Sequence, residues 1–342
     1  YVKTFHFGEG GRMSGAMQFA GVLFLMMLSP VSSKRMKISP QRNSCDILPS
    51  KSILRPDQIT VLISGYSTTR IPLLVSLAQS YASSPVVHSV IILWGNRSSE
   101  TEVLAKLSRS VKSRLPATVK FALVRQQNDS LNERFLPRPR LVETDAVLVC
   151  DDDVEVDKDS LELAFRIWRG SPHRLVGLFA RSHDLDLISR RWAYTVHPDK
   201  YSIVLTKFMM LKADYLWDYS CGGGFRRQRT REIVDRERNC EDILMNMIVA
   251  NKVRTGPILV GARKARDWGD PRNEDGGNGV REVGLSSRRL NHRKRRGECI
   301  MQFHKVLGTM PLRYSYGKVV SDVGEQGLCK KKSGKWVSCD HF

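Results

Sequence analysis

Asp151, Asp152 and Asp153 stand directly after an apolar run, Val147 to Cys150, inside the segment Asp145–Val154. The run is short, continuous and rich in β-branched residues, the pattern of a strand buried on both faces. Three carboxylates at the carboxyl end of such a strand cannot all stay ionised without a cation or hydrogen-bond donors. In an open α/β sheet that end is also where ligands collect. A hard divalent ion bridging a carboxylate and a diphosphate satisfies both constraints. The plainer alternatives are a solvated acidic turn, or helix capping by Asp157 and Asp159 with spare charge beside it.

A second acidic pair, Glu241 and Asp242, opens a helical pattern over Asn239–Ala250, with Asn239 as its cap and Ile243, Met247 and Ala250 on one face. Acids in a first helical turn stabilise the helix dipole with no chemistry at all, so the pattern by itself leaves both roles open. Farther along, the basic run from Arg288 to Arg296 contains no Phe, Tyr or Trp. A nucleic-acid-binding module built on that run would be expected to interleave aromatic residues, and it would leave the acidic triplet unexplained.

These residues need a scaffold, and the chain supplies alternating strands and helices. Strand patterns at Ile59–Ser64, Val86–Trp94 and Val119–Val124 are separated by helical patterns at Ile71–Tyr81 and Glu100–Leu115. A polar loop, Asn128–Leu136, then leads to the strand that ends in the triplet. Alternation at this spacing predicts an α/β fold with a mostly parallel, doubly wound sheet. Beyond the triplet come a helix at Ser160–Trp168, strands at Val176–Ala180 and Tyr201–Thr206, and an apolar segment, Phe208–Tyr215, that suits either type. Gly222 to Gly224 break the chain, Gly261–Arg289 reads as a long mobile loop, and Cys299–Leu307 forms a last helix.

The 342 residues, 41% of them hydrophobic, suffice for one large core or two modest ones. A formal net charge of +20 favours anionic partners. Seven cysteines are too few for a disulfide scaffold and include no zinc-type pair, and Cys150 reads as a small buried hydrophobe. Residues 1–12 read as an upstream extension before Met13. The apolar stretch Ala16–Leu28 is short for a membrane span of about 20 residues but suits a signal-peptide core or short anchor. The expected layout is therefore a signal anchor or signal peptide at 13–31, a stem at 32–56, one folded domain at 57–320 and a basic tail at 321–342.

Taken in order, Gly65-Tyr66, Trp94 to Asn96, Ser130 to Phe135, Glu143 to Leu148, the Asp triplet, Asn239 to Asn246, His292 to Cys299 and Gly308 to Leu312 form a recognisable set. The set resembles glycosyltransferase family 64: the exostosin-like transferases and, more closely, the plant members that glycosylate inositol phosphorylceramides. The resemblance runs from about Ile59 to about Tyr316. It implies a GT-A fold in a single catalytic domain, a nucleotide-sugar donor, a divalent metal (Mn²⁺) and retention of anomeric configuration. By the family pattern Asp153 ligates the metal, while Asp151 and Asp152 face the nucleotide. Tyr66, Asn96, Asn132 and Arg134 fall where the family contacts the nucleotide. This chain has Ser67-Thr-Thr-Arg70 where the family commonly has Asn-Arg after its tyrosine, so Arg70 stands in for a phosphate or base contact. Asp242 corresponds to the catalytic acid near the anomeric carbon, and Arg296 to the arginine that approaches the diphosphate. Cys240 and Cys299 match a family disulfide.

The plant-like motifs imply GDP-mannose as donor and an anionic glycolipid, such as glucuronosyl inositol phosphorylceramide, as acceptor. The exostosin pattern implies instead a UDP-N-acetylhexosamine and a glycan chain. Either reading implies a type II Golgi membrane protein with a lumenal catalytic domain; it allows a homodimer and has no nucleic-acid partner. A catalytically silent relative is the remaining alternative, opposed by the presence of Asp153, Asp242 and Arg296. Two sequons, Asn96-Arg-Ser98 and Asn128-Asp-Ser130, add a constraint, since a glycan on Asn96 would block the expected pocket.

Overall fold

The computed structural model describes residues 54–269 and 289–321, with Cys45 and short pieces at 328–330, 333–334 and 336–338. The expected extension and leader, most of the stem and tail, and residues 270–288 of the long loop lie outside the described residues. Among the described residues no helix is long and apolar enough to cross a membrane.

The elements follow in order. They begin with β1 (Arg55–Gly65), α1 (Ile71–Ala82), β2 (Val87–Trp94), α2 (Thr101–Lys112), β3 (Lys120–Arg125) and β4 (Thr144–Asp151). After the triplet come β5 (Val154–Val156), α3 (Lys158–Gly170), β6 (Val176–Gly177), β7 (Ala180–Asp186), β8 (Arg191–Thr195), β9 (Lys200–Tyr201), β10 (Ile203–Val204) and β11 (Phe208–Lys212). Helices α4 (Asp214–Ser220), α5 (Gly224–Glu237) and α6 (Glu241–Val253) lead to β12 (Ile258–Leu259) and β13 (Ala265–Asp267). The last are α7 (Arg289–Leu307), β14 (Ser315–Tyr316), β15 (Leu328–Lys330) and β16 (Trp336–Ser338).

A seven-stranded sheet in the order β12-β6-β11-β4-β1-β2-β3 organises the chain. β4, β1, β2 and β3 are parallel neighbours, β11 runs antiparallel to both β4 and β6, and β12 is parallel to β6. This is the α/β, mostly parallel mixed sheet that the alternating pattern predicts. Val61, Ile63, Leu148 and Cys150 point into one core with residues of α1, α2 and α3. Leu62, Val147 and Val149 point into another with residues of α4, α5, α6 and α7. Burial on both faces is why the strands read as continuous apolar runs, each large aliphatic side chain contributing about 1.5–3 kcal/mol.

Several segments differ from their sequence expectation. Asn128–Leu136 is not simply a polar loop: Leu131–Phe135 forms a 3-10 turn, capped by the Ser130 hydroxyl, and buries Glu133, Arg134 and Phe135. The strand expected at Val176–Ala180 is broken, with Val176–Gly177 in the main sheet and Ala180 starting a hairpin. A Cβ on Gly177 would lie 2.8 Å from the Val204 Cβ, so only glycine lets the strand end pack this closely against β10. Tyr201–Thr206 splits between β9 and β10, which join different sheets. Phe208–Tyr215 turns from β11 into the start of α4, and the glycine break at 222–224 opens α5. Asp157 does cap α3, accepting from the Ser160 N–H at 3.1 Å, but the triplet ahead of it has other partners.

The β7–β8 hairpin matters because β8 carries Tyr194 beneath the site. His183 fixes it in place: Nδ1 lies 2.7 Å from the Ser202 hydroxyl, and the ring packs against Trp192 and Tyr314 at centroid distances of 5.2 and 4.7 Å. Burial disfavours the imidazolium and lowers the His183 pKa to about 4. A histidine that is neutral when folded and ordinary when unfolded contributes stability above its unfolded pKa, and that contribution is lost as pH falls. The urea midpoint should therefore drop between about pH 6.5 and pH 4, and His183→Asn should flatten that part of the profile.

Candidate active site

The carboxyl ends of β4 and β1 meet, and the triplet is held there by groups from three other segments. The Tyr66 N–H donates to Asp152 Oδ2 at 3.2 Å. A 3-10 turn, Thr68–Arg70, brings the Arg70 guanidinium between two of the acids, with Nη1 3.1 Å from Asp152 Oδ1 and 3.1 Å from Asp153 Oδ2. Arg134, from the buried turn before β4, reaches Asp151 Oδ1 at 3.1 Å and Glu241 Oε1, at the start of α6, at 3.2 Å. Among the described residues two guanidiniums thus serve four carboxylates. Burial and the charges of Asp151 and Asp152 push the Asp153 carboxyl up to about 7, against the opposing pull of Arg70 and Lys207. Burial raises Asp152 as well, and Glu241 is raised by burial against Arg134.

The donor set suits a hard divalent cation. Asp153 faces the segment after β13, where the Trp268 N–H donates to its main-chain oxygen at 2.8 Å. A Cβ on Gly269 would come within 2.5 Å of Asp153 Oδ2 and 3.3 Å of Asp267 Oδ1. Glycine lets the main chain pass close against that carboxylate, while Asp267 is paired with Lys207. Among the described residues no three His, Cys, Asp or Glu side chains gather as a complete cage. A metal held here would therefore need further oxygens from a ligand such as a diphosphate and from water.

The second centre is the start of α6. Asp242, 3% exposed, accepts from Arg296 Nη2 at 2.6 Å and from the Ile243 N–H at 2.8 Å. Arg296, 5% exposed, also donates from Nη1 to Asn239 Oδ1 at 3.0 Å and lies over the Tyr194 ring, 4.5 Å from Cζ to centroid. Burial opposes its charge, but Asp242 and Tyr194 outweigh that and hold the guanidinium above its usual value. Its Nε is buried without a hydrogen-bond partner among the described residues. Asn246 locks the helix in place: its side chain exchanges hydrogen bonds with the Val204 N–H and C=O at 3.0 and 2.9 Å, and donates to the Asp242 carbonyl at 2.8 Å. Cys240 is bonded to Cys299 of α7. The cap of α6 is Cys240, with φ 78°, rather than Asn239, whose side chain is bound instead to the Cys240 N–H and Arg296.

Other expected residues take less direct places. Tyr66 is 57% exposed and stands free beside the triplet, its ring packed near Gly95. Asn96, at the end of β2, accepts from the Ser98 N–H at 3.0 Å. Asn132 is committed to the body of the protein: its amide donates to Arg231 O and Asp235 Oδ1, and its oxygen accepts from the Tyr219 hydroxyl at 2.5 Å. Cys150 is a free, buried thiol, and a second disulfide joins Cys45 to Cys221, a pairing the sequence leaves open. Glu241, Tyr194, Asn246, Lys207 and Asp267 join the site without a sequence motif of their own, because their roles depend on partners distant in the chain. Only Glu241, beside Asp242, had a local signal.

Residues 59–324 match the glycosyl transferase family 64 domain. Glycosyltransferase family protein 64 C3 of Arabidopsis thaliana is 57% identical over 305 residues, taking in 89% of this chain and 92% of that protein. Exostosin-1 and exostosin-2 of Mus musculus are 30% and 32% identical over 281 and 258 residues, or 78% and 74% of this chain. The chain spans 33% of the length of each of these exostosins. Among solved structures, GalNAc-T7 with UDP, GalNAc and Mn²⁺ aligns with 48% of this chain and 36% of its own at a TM-score of 0.36 and 10% identity, a likeness too slight to bear on function.

The buried Asp242–Arg296 pair sets a test of its own. Arg296→Met strands a buried carboxylate and should cost about 3–5 kcal/mol. Asp242→Asn in the same chain should restore part of that loss. A urea-denaturation double-mutant cycle measures the coupling, and additive losses would show that the two charges are independent.

Proposed function

The chain belongs to glycosyltransferase family 64, and from that premise we propose that it is a metal-dependent, retaining transferase, moving mannose from GDP-mannose to an anionic glycolipid such as glucuronosyl inositol phosphorylceramide. The observation that carries this reading is the linkage at one end of the sheet between the triplet and the Asp242–Arg296 pair, made by Arg134 between Asp151 and Glu241. The plant-like motifs of the sequence favour the glycolipid acceptor, and the identity to the Arabidopsis protein is higher than to the exostosins. The exostosin likeness supports a second reading, UDP-N-acetylhexosamine transfer to a glycan chain.

In transfer, the bond from the anomeric carbon to the donor phosphate breaks and its electron pair leaves with the nucleoside diphosphate. The acceptor hydroxyl attacks from the same face, and its proton passes to the departing phosphate oxygen. Asp153 is the carboxylate that would hold Mn²⁺, with Asp151 and Asp152 turned toward the nucleotide. When bound, the metal supplies Lewis-acid neutralisation of the leaving diphosphate. Arg70 can share its charge between the acids and the phosphate oxygens, and the Tyr66 ring offers a face to the base. Asp242 orients the acceptor hydroxyl and stabilises positive charge on the sugar ring. Arg296 fixes the Asp242 carboxylate and brings its charge toward the diphosphate. Two disulfides suit the oxidising secretory route, and we take the domain to work in the Golgi lumen behind a type II anchor.

The test is donor hydrolysis and transfer by the full chain, scanning GDP- and UDP-sugars with Mn²⁺ and with EDTA. One donor should turn over, EDTA should abolish the activity, and Asp153→Ala or Asp242→Asn should each lower it by about 10²–10³-fold. Selectivity for UDP-N-acetylhexosamine would favour the second reading. Undiminished turnover in EDTA would remove the metal, and undiminished turnover in Asp242→Asn would remove Asp242 from the chemistry.

A further inference from the structure

A groove of about 930 Å³ lies away from the triplet. It is lined where the chain enters β6 and β12, by Arg174 and Ile258 among others. Both strands run in the same direction as β4, because β11 is antiparallel to β4 and to β6. The groove therefore occupies the amino edge of the sheet, while the triplet occupies the carboxyl edge. Helix α6 runs between them, from Asp242 to Arg254 at its carboxyl-terminal cap, a span of about 18 Å at 1.5 Å per residue.

Arg166, Arg174, Arg254, Arg313 and Lys318 line the groove, and no Asp or Glu does so among the described residues. Two of these cations brace the fold. Arg174 donates to the carbonyls of Gly256 and Pro257 at 2.8 and 3.0 Å, and to the Ser315 hydroxyl at 3.2 Å. Arg313 donates to the carbonyls of Met310, Pro311 and Leu312 at 3.0–3.3 Å. Carbonyl partners satisfy their hydrogen bonds but leave their charge uncancelled. The carboxyl ends of α3 and α6 also meet here and contribute about half a negative charge each. Together they offset about one of the five positive charges. Serving helix ends does not account for the rest, and the surplus focuses positive potential into a concave surface.

Tyr316 stands in the same groove and is 69% exposed. A bare phosphate would have no use for that ring, whereas a saccharide would: the apolar face of a pyranose stacks on it while an attached carboxylate, sulfate or phosphate meets the guanidiniums. Bases also stack on tyrosine beside cations. The two disulfides, however, fit a folded chain in an oxidising compartment, where the abundant polyanions are acidic glycans. We propose that this groove is a second binding site, for the acidic portion of a saccharide chain, separate from the catalytic centre. It does not depend on which donor the enzyme uses.

The test uses the full chain and a hexasaccharide of alternating uronic acid and N-acetylhexosamine, with titration calorimetry at about 0.15 M salt. The same hexasaccharide with its carboxylates reduced to alcohols is the neutral control. Arg254→Glu/Lys318→Glu should weaken binding at least tenfold, Arg254→Gln/Lys318→Gln by less, and Tyr316→Ala severalfold. Arg226→Glu/Arg229→Glu, on the exposed face of α5, should leave it unchanged. Donor hydrolysis should be unchanged in all of these variants. The proposal is overturned by an equal loss in the α5 variant, by equal binding of the neutral control, by tighter binding of a single-stranded oligonucleotide of equal charge, or by no binding to the unaltered chain. Failure of donor hydrolysis in the unaltered chain would count against the transferase reading and not against the groove.

Discussion

Negative charge at the buried end of β4 is the constraint on which the rest of the site depends. Desolvating an ion costs several kcal/mol even after relaxation, and four carboxylates gather here, Asp151, Asp152, Asp153 and Glu241, against the guanidiniums of Arg70 and Arg134. The deficit explains why residues from so many elements converge on one place. The turn after β1 gives an N–H and an arginine, the buried turn before β4 gives another arginine, and α6 adds its own acid to the second. Among the described residues the acids of this centre outnumber the cations paired with them, and such a centre is well prepared to accept a cation together with the anion that accompanies it. The same shortage would be a liability anywhere else in the fold.

The Asp242–Arg296 pair solves a different problem. Its charges cancel each other, so the pair is a fixed electrostatic object that does not need a ligand to exist. Its position comes from the start of α6 and the middle of α7: Cys240 binds the first turn of α6 to α7, Tyr194 supports the guanidinium, and Asn239 holds its second nitrogen. Cys240 takes a left-handed conformation at some cost, about 1–2 kcal/mol for a non-glycine residue. That conformation turns the chain sharply out of α5 and aims the first turn of α6 at the triplet.

How much of this was legible in the sequence follows from how local each signal is. The strand ending in three acids could be read directly, because an apolar run followed by carboxylates needs no distant partner to be recognised. The alternation over residues 59–151 was equally clear. Helix α5 was not, because its sequence from Gly224 to Glu237 is mostly polar and charged, with no apolar stripe, and only Thr230, Ile233 and Val234 are buried. The β7–β8 hairpin was hidden for the same reason, since it carries His183 and Asp184 where a strand pattern would show apolar residues, and its stability comes from stacking on Tyr314 and pairing with Lys200. Asn239 looked like a helix cap because Asn commonly is one; a positive φ at the next residue carries no sequence signature when that residue is cysteine. Arg134 and Glu241 each looked ordinary, and only the fold made them a bridge.

Asn246 has an effect beyond locking α6. Strand β10 is the outer member of the small sheet β10-β7-β8, and the unpaired side of an outer strand is a template on which another chain can add. The Asn246 amide presents a donor and an acceptor to the Val204 main chain much as a neighbouring peptide group would. One side chain on a buried helix thus satisfies the main chain of a sheet margin that is itself shut off from water, Ile203 and Val204 being fully buried, so the hairpin bearing Tyr194 cannot part from the helix whose first turn it serves without stranding polar groups.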